Sequence, residues 1–177
     1  ALTSFHIGAG VTSFAETALY NDRKIATLTV SADNPVYSAE HNVLYSKADD
    51  GLHLMLSPAA NTLTDYTVRA GTVEIGATAF ANNKTLTRVV LPDGLKVIGD
   101  DAFAGTTALT ELVIPESVER SSGVTGNSLE LVEYGSKVTS IRMEGSWVPM
   151  PRRIVVRGGV DGSFVYDGRP TNGRRQS

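Results

Sequence analysis

Ile75-Gly76-Ala77-Thr78-Ala79-Phe80 recurs 23 residues later as Ile98-Gly99-Asp100-Asp101-Ala102-Phe103, and the same step carries Leu86, Val89 and Leu91 onto Leu109, Leu112 and Ile114. A unit this short has room for one strand and one return segment. It cannot enclose a core of its own, so successive units must stack and share one, which predicts a solenoid.

Sliding the template outward finds more turns. Leu63, Tyr66 and Val68 precede the set by one period, and Ile25, Leu28 and Val30 repeat its internal spacing, as do Leu2, Phe5 and Ile7. Downstream, Leu129, Val132 and Tyr134 follow after 20 residues and Pro151, Ile154 and Val156 after 22. Seven strand sites result. Alternation along each strand puts Val89 and Leu91 inside and Arg88 and Val90 outside. Pro92 follows at the strand end, where a missing donor is tolerated. Asp100 and Asp101 before Ala102-Phe103-Ala104 read as the cap of a single helical turn closed by Gly105, and Val11-Phe14-Ala18-Leu19 matches the same return limb.

Residues 31–60 break the period, since Val30 to Val68 spans one repeat plus 15 residues. Val43-Leu44-Tyr45 and Leu52-His53-Leu54-Met55-Leu56, joined through Lys47-Ala48-Asp49-Asp50-Gly51, read as a hairpin standing off the stack. It serves either as a rim loop that touches a ligand through Tyr37, Tyr45 and His53, or as an elaboration that packs on its neighbours.

The pattern Ile-Gly-x-x-Ala-Phe, five residues, Leu-x-x-Val-x-Leu-Pro-x-x-Leu-x-x-Ile-Gly, clearest from Ile75 to Val118, resembles the BspA-type leucine-rich repeats of bacterial cell-surface proteins. Asp33-Asn34-Pro35-Val36-Tyr37-Ser38, continuing to Val43-Leu44-Tyr45-Ser46, is similar to the hairpin-bearing repeats of that family. Some positions depart from it. Asn82-Asn83 and Gly105-Thr106 stand where a Cys often follows the Phe, Thr72 replaces an apolar residue, and Ser121-Ser122 replace Ile-Gly, so the return limb there is expected to be loop. The resemblance implies an α/β repeat fold: a right-handed leucine-rich-repeat solenoid with a parallel strand ladder, short helical or irregular return segments and an inserted β-hairpin. One such domain would fill 1–177, with regular repeats at 1–30 and 61–120, the hairpin at 31–60, degenerate repeats at 121–157 and a basic, partly disordered tail at 158–177. It further implies a location outside a bacterial cell and a role in adhesion to host or extracellular-matrix proteins or to other microbes. The alternative is a stalk or spacer that presents other modules of a longer surface protein.

Composition fits an extended single domain, with 41% hydrophobic residues and 17 Gly among 177. Cys is absent, so neither a disulfide framework nor thiol chemistry is expected. Ala1-Leu2 begins inside a repeat, so the sequence reads as a piece of a longer protein and its lack of export signals carries no information on location. No membrane-inserting run is present. Residues 1–149 hold 10 Lys or Arg against 17 Asp or Glu, a net −7, whereas 150–177 hold 6 Arg against 2 Asp, a net +4. Arg152, Arg153, Arg157, Arg169, Arg174 and Arg175 have only Phe164 and Tyr166 among them and no nucleic-acid motif, which favours a solvated terminus over a nucleic-acid partner.

Chemistry-bearing constellations are weak. His6, His41 and His53 lack metal-ligand spacing, and no nucleophile elbow or phosphate-cradling glycine loop occurs. Gly158-Gly159-Val160-Asp161-Gly162 is a single turn without the repetition that calcium sites of this kind need. Asp49-Asp50 and Asp100-Asp101 are neighbours in sequence whose side chains diverge or cap, so paired acid-base work is not expected. The sequence therefore predicts no catalytic residue, cofactor or metal. What remains is the outer face of the strand ladder, two side chains per rung: Ser4 and His6, Thr27 and Thr29, then the candidate partner-binding residues Asp65, Thr67, Arg88, Val90, Glu111, Val113, Leu131, Glu133, Arg153 and Val155. An apolar strip of Val90, Val113, Leu131 and Val155 flanked by mixed charge suits a protein partner better than a nucleic acid; the family resemblance extends the expected partner to a protein or glycan on a host or microbial surface. Otherwise these residues are simply strand formers on a solvated sheet.

Overall fold

In the computed structural model the described residues are 2–14, 19, 24–122, 124, 129–141, 153–156 and 164–166. The elements among them are strands: β1 (Ser4–Ile7), β2 (Thr27–Val30), β3 (Tyr37–Glu40), β4 (Val43–Ala48), β5 (Gly51–Leu56), β6 (Asp65–Thr67), β7 (Thr72–Ile75), β8 (Arg88–Val90), β9 (Val97–Ile98), β10 (Glu111–Val113), β11 (Arg120–Ser121), β12 (Leu131–Tyr134), β13 (Ser140–Ile141), β14 (Arg153–Val156) and β15 (Phe164–Tyr166).

All seven predicted strand sites are strands: β1, β2, β6, β8, β10, β12 and β14. They stack in parallel with equivalent residues opposite one another: Ser4 pairs with Thr27, Asp65 with Arg88, Glu111 with Leu131 and Leu131 with Arg153. The ladder is in three pieces, β1-β2, β6-β8 and β10-β12-β14, the last extended by antiparallel β15.

A second ladder runs along the return limb, where the sequence showed only Leu95 and Ile98 as periodic apolar points. Here β5, β7, β9, β11 and β13 pair in parallel. The chain reaches this ladder from the first through a tight turn. Leu95 N–H donates to Pro92 O at 3.3 Å around Gly94 (φ 95°), and one period earlier Thr72 N–H donates to Arg69 O at 3.2 Å around Gly71 (φ 84°). Both turns place glycine where φ must be positive. Thr72 is tolerated at an apolar position because its hydroxyl donates to Arg69 O at 2.7 Å, and Ser121 because its hydroxyl bonds the Tyr134 hydroxyl at 3.1 Å. The limb expected to be loop at Ser121-Ser122 thus begins inside the sheet.

The expected capped helical turn is not formed at Ala102-Phe103-Ala104. Thr78, Asn82, Asp101 and Gly105 have φ of 56°, 62°, 53° and 70°, and backbone amides alternate between two tasks. Ala79, Ala81 and Asn83 N–H donate three residues back within their own rung, while Thr78, Phe80 and Asn82 donate to Asp100, Ala102 and Ala104 of the next at 2.7–2.8 Å. A helix would turn those amides inward along its own axis and leave the neighbouring rung unpaired. Phe80 and Phe103 follow this alignment and stack, with centroids 5.3 Å apart and planes 8° from parallel. In the first rung Leu19 is buried, while Ala18 of the predicted limb lies outside the described residues.

Residues 37–56 fold as an antiparallel meander, β3-β4-β5, with Ala48 opposite Gly51 across the Asp49-Asp50 turn. It lies in the plane of the second ladder, continuing it through β5. Val43, Tyr45 and Leu54 point into one hydrophobic cluster that runs on to Val138, while Leu44, Met55 and Leu56 point into another with Ile7, Ile25 and Leu28. Consecutive apolar residues in β4 and β5 are what a strand buried on both faces requires. The meander is therefore a wall between two cores, which divides the hydrophobic spine after the second rung. Asn34 fastens the wall to the first rung: its amide donates to Gly8 O at 2.8 Å and Val11 O at 2.9 Å, and its carbonyl accepts from Val36 and Tyr37 N–H at 2.9 and 2.7 Å.

Candidate functional site

Alternation along β6, β8 and β10 leaves two exposed side chains per rung. In β6, β8 and β10 the central residues Tyr66, Val89 and Leu112 are buried, while Asp65, Thr67, Arg88, Val90, Glu111 and Val113 face solvent. Val113 is the most exposed of the large apolar residues named there, at 61%. Register fixes two columns. Asp65 lies opposite Arg88, and Glu111, Leu131 and Arg153 line up; Thr67 lies opposite Val90, and Val113, Glu133 and Val155 line up. The four apolar residues expected as a strip are thus split, with Leu131 in the column of Glu111 and Arg153 and Glu133 between Val113 and Val155. On the first two rungs His6 Nδ1 lies 2.8 Å from Thr29 Oγ1 and Nε2 lies 3.3 Å from Ser31 Oγ.

The face is interrupted where the meander wall meets it. The turn joining β3 to β4 carries His41 and Asn42 at positive φ (51° and 65°), and it sits between β2 and β6. Asn42 Oδ1 accepts Leu28 N–H at 3.2 Å, His41 O accepts from the Asn61 amide at 3.0 Å, and the His41 ring meets Tyr66 edge-on at 6.5 Å. Beside this turn opens a depression of about 660 Å³ lined by Glu40, His41, Leu63, Asp65, Thr67 and Arg69 among others. Beneath it, the Tyr45 and Tyr66 hydroxyls share a hydrogen bond of 2.6 Å, and Arg69 N–H donates to the Tyr45 hydroxyl at 3.3 Å. Burial holds both phenols above the ordinary tyrosine range. The Arg69 guanidinium lies over the Tyr45 ring at 5.3 Å, bonds Ser38 Oγ at 3.0 Å and approaches Glu40 at 3.8 Å.

Of the three residues read as possible ligand contacts of a rim loop, Tyr37 and Tyr45 are core residues, 7% and 0% exposed. Both faces of β4 are packed, so its aromatic side chain is not available to a ligand. His53 remains partly exposed with Asp50 at 3.0 Å. Arg69 and Asn42 were not singled out from the sequence, although an Asn after a strand is a known left-handed turn former. Among the described residues no three His, Cys, Asp or Glu converge to hold a metal, and no helix is long and apolar enough to cross a membrane. In the basic segment Phe164–Tyr166 forms β15; the glycine-rich stretch at 158–162 and Arg152, Arg157, Arg169, Arg174 and Arg175 lie outside the described residues.

Residues 59–144 match the family described as BspA type leucine rich repeat region, in six copies. Among solved structures, the chain is similar to a leucine-rich repeat protein from Eubacterium ventriosum, at 22% identity and a TM-score of 0.60, covering 80% of this chain and 48% of that one. It is similar to a leucine rich cell surface protein from Faecalibacterium prausnitzii, at 25% identity and a TM-score of 0.61, covering 83% and 49%. A third likeness is to the pneumococcal vaccine antigen PcpA, at 17% identity and a TM-score of 0.57, covering 89% and 45%. The chain thus spans about half the length of these structures. Among curated proteins none matches it.

Proposed function

Residues 59–144 of this chain belong to the BspA-type leucine-rich repeat family, and from that premise we propose that it is a non-enzymatic recognition module outside a bacterial cell, adhering to host or matrix proteins or to other microbes through the outer face of the strand ladder. The observation that carries the reading is the two-column face itself. Each of β6, β8 and β10 presents two exposed side chains on a backbone tied in turn to the second ladder, and one of them, Val113, is a large apolar residue 61% open to water. A rigid array of this kind can meet a protein or glycan without rearrangement. The likeness to a leucine rich cell surface protein supports the location.

Purified chain on an array of matrix proteins and glycans tests the reading. Saturable binding that is lost on the double reversal Arg88→Glu with Glu111→Arg supports it, and a folded chain without any saturable binding contradicts it. That the chain spans only about half of its structural relatives favours a second reading, a spacer that positions neighbouring modules. Under that reading the double reversal leaves every phenotype of the full-length protein unchanged.

A further inference from the structure

The outer ladder stops between β2 and β6, and the edges created there are treated differently. Backbone groups of successive strand residues point to opposite sides. On β6, Thr64 O accepts from Thr87 and Arg88, and Val68 N–H donates to Val90 O at 2.9 Å. That commits positions 64, 66 and 68 to β8 and turns the N–H and C=O of Asp65 and Thr67 to the open side. Across the gap, Leu28 N–H is capped by Asn42, and further along the β6 edge Arg69 N–H is capped by Tyr45. The backbone groups of Asp65 and Thr67 have no such cap among the described residues. They border the depression of about 660 Å³.

We propose that this gap binds an extended peptide segment of a partner protein, which adds as a strand to the edge of β6 and carries a basic side chain. An uncapped edge is a template for strand addition, and the depression supplies the room that a packed ladder lacks. The edge offers two donors and two acceptors, enough to hold a short segment. Charge decides the preference. Asp65 stands on one wall; on the other, Glu40 and the Arg69 guanidinium approach to 3.8 Å and offset one another, with Arg69 also held by Ser38 and the Tyr45 ring, and Arg88 lies one rung beyond Asp65, so Asp65 is the anion left to meet a basic side chain. The first 149 residues carry a net −7 (10 Lys or Arg against 17 Asp or Glu), which draws a basic segment to this part of the chain. Main-chain pairing then gives affinity with little demand on sequence. The proposal deepens the recognition reading above and rests on it, placing a peptide site at a strand edge beside the outer face.

Thr67→Pro isolates the idea, because it removes an N–H that the ladder does not use and edge positions accept proline. Random linear heptapeptides displayed on phage are selected against the full chain. Enriched sequences are then titrated as synthetic peptides against the chain, Thr67→Pro, Asp65→Asn and Val113→Ser, with far-UV circular dichroism confirming each fold. Lys- or Arg-containing peptides are expected, weakened about tenfold or more by Thr67→Pro and severalfold by Asp65→Asn, and unaffected by Val113→Ser. N-methylation of alternate peptide amides should abolish binding to the unaltered chain, a test independent of whether Thr67→Pro folds. Failure to enrich any peptide, or enriched peptides indifferent to Thr67→Pro and to N-methylation, overturns the proposal. Peptides weakened by Val113→Ser but not by Thr67→Pro overturn it while leaving outer-face recognition standing. Concentration-dependent self-association lost in Thr67→Pro would assign the edge to a second copy and also overturn it.

Discussion

Phe103 couples two rungs through the segment that follows the second ladder, and its removal should be felt well beyond its own repeat. The ring is fully buried and stacks on Phe80 at 5.3 Å with planes 8° apart. Truncation of a buried Phe to Ala costs about 3–5 kcal/mol, and an aromatic pair adds about 0.5–1.5 kcal/mol beyond the area it buries. Phe103→Ala should therefore lie near 4 kcal/mol, enough to unfold a marginal chain. Phe103→Leu keeps most of the apolar volume and loses the stack, so about 1–2 kcal/mol is expected. Phe80→Leu should cost a similar amount. Because either substitution already removes the stack, the double variant should fall short of the sum of the singles by about 1 kcal/mol. Urea denaturation followed by far-UV circular dichroism measures all four points of the cycle. Additivity to within about 0.3 kcal/mol, with Phe103→Leu indistinguishable from the parent, would show that the rings do not link the rungs.

Gly99 lies where a Cβ would meet the preceding rung's backbone, 2.7 Å from Ala77 N and 2.9 Å from Gly76 C. Gly99→Ala should cost about 1–3 kcal/mol in the same urea assay, and a neutral result would mean the limbs are further apart than described. Asn34 uses its carbonyl twice and its amide twice within one buried site, so Asn34→Ala should cost about 2 kcal/mol or more and, in hydrogen exchange, preferentially expose the amides of Val36 and Tyr37. Stability should also fall in alkali. Burial pushes the Tyr134 phenol up to about 12, whereas the unfolded chain ionises near 10. The native state thus holds its proton longer, and stability is full below about pH 10 and declines between about pH 10 and 12, by roughly 1 kcal/mol at pH 11. Tyr45 and Tyr66, also raised by burial, act in the same direction. Thermal melts that stay level from pH 9 to 11.5 would contradict this.

Outer strands were legible because side chains report them. Leu86, Val89 and Leu91 recur on Leu109, Leu112 and Ile114, and a period-2 pattern inside a fixed repeat has few other solutions. The second ladder was obscured because β9 is two residues long and β11 is Arg120–Ser121, too short for alternation to register. In the segment after β9, Asp100-Asp101 before Ala102 carries the signature of a cap, and local propensity favoured a helical turn. Tertiary pairing of Phe80 with Ala102 backbone groups prevailed over it. The meander's strands follow from Val43-Leu44-Tyr45 and Leu54-Met55-Leu56, yet apolar residues on both faces also meant a wall rather than a projecting loop, and that makes Tyr45 a core residue. The edge beside β6 had no sequence signal, since it depends on which backbone groups the His41-Asn42 turn leaves uncapped.

Adjacent rungs place equivalent residues opposite one another on the outer face, as Asp65 with Arg88 and Thr67 with Val90. The absence of Cys from the chain makes a direct measurement possible, the rate of disulfide formation in paired cysteine variants. Thr67→Cys with Val90→Cys, opposite one another in adjacent rungs, should cross-link readily under mild oxidation, as should Asp65→Cys with Arg88→Cys. Thr67→Cys with Val89→Cys should not, because the Val89 side chain points into the core. Equal rates for all three pairs, or faster closure of the third, would contradict the register and with it the face on which the recognition reading stands.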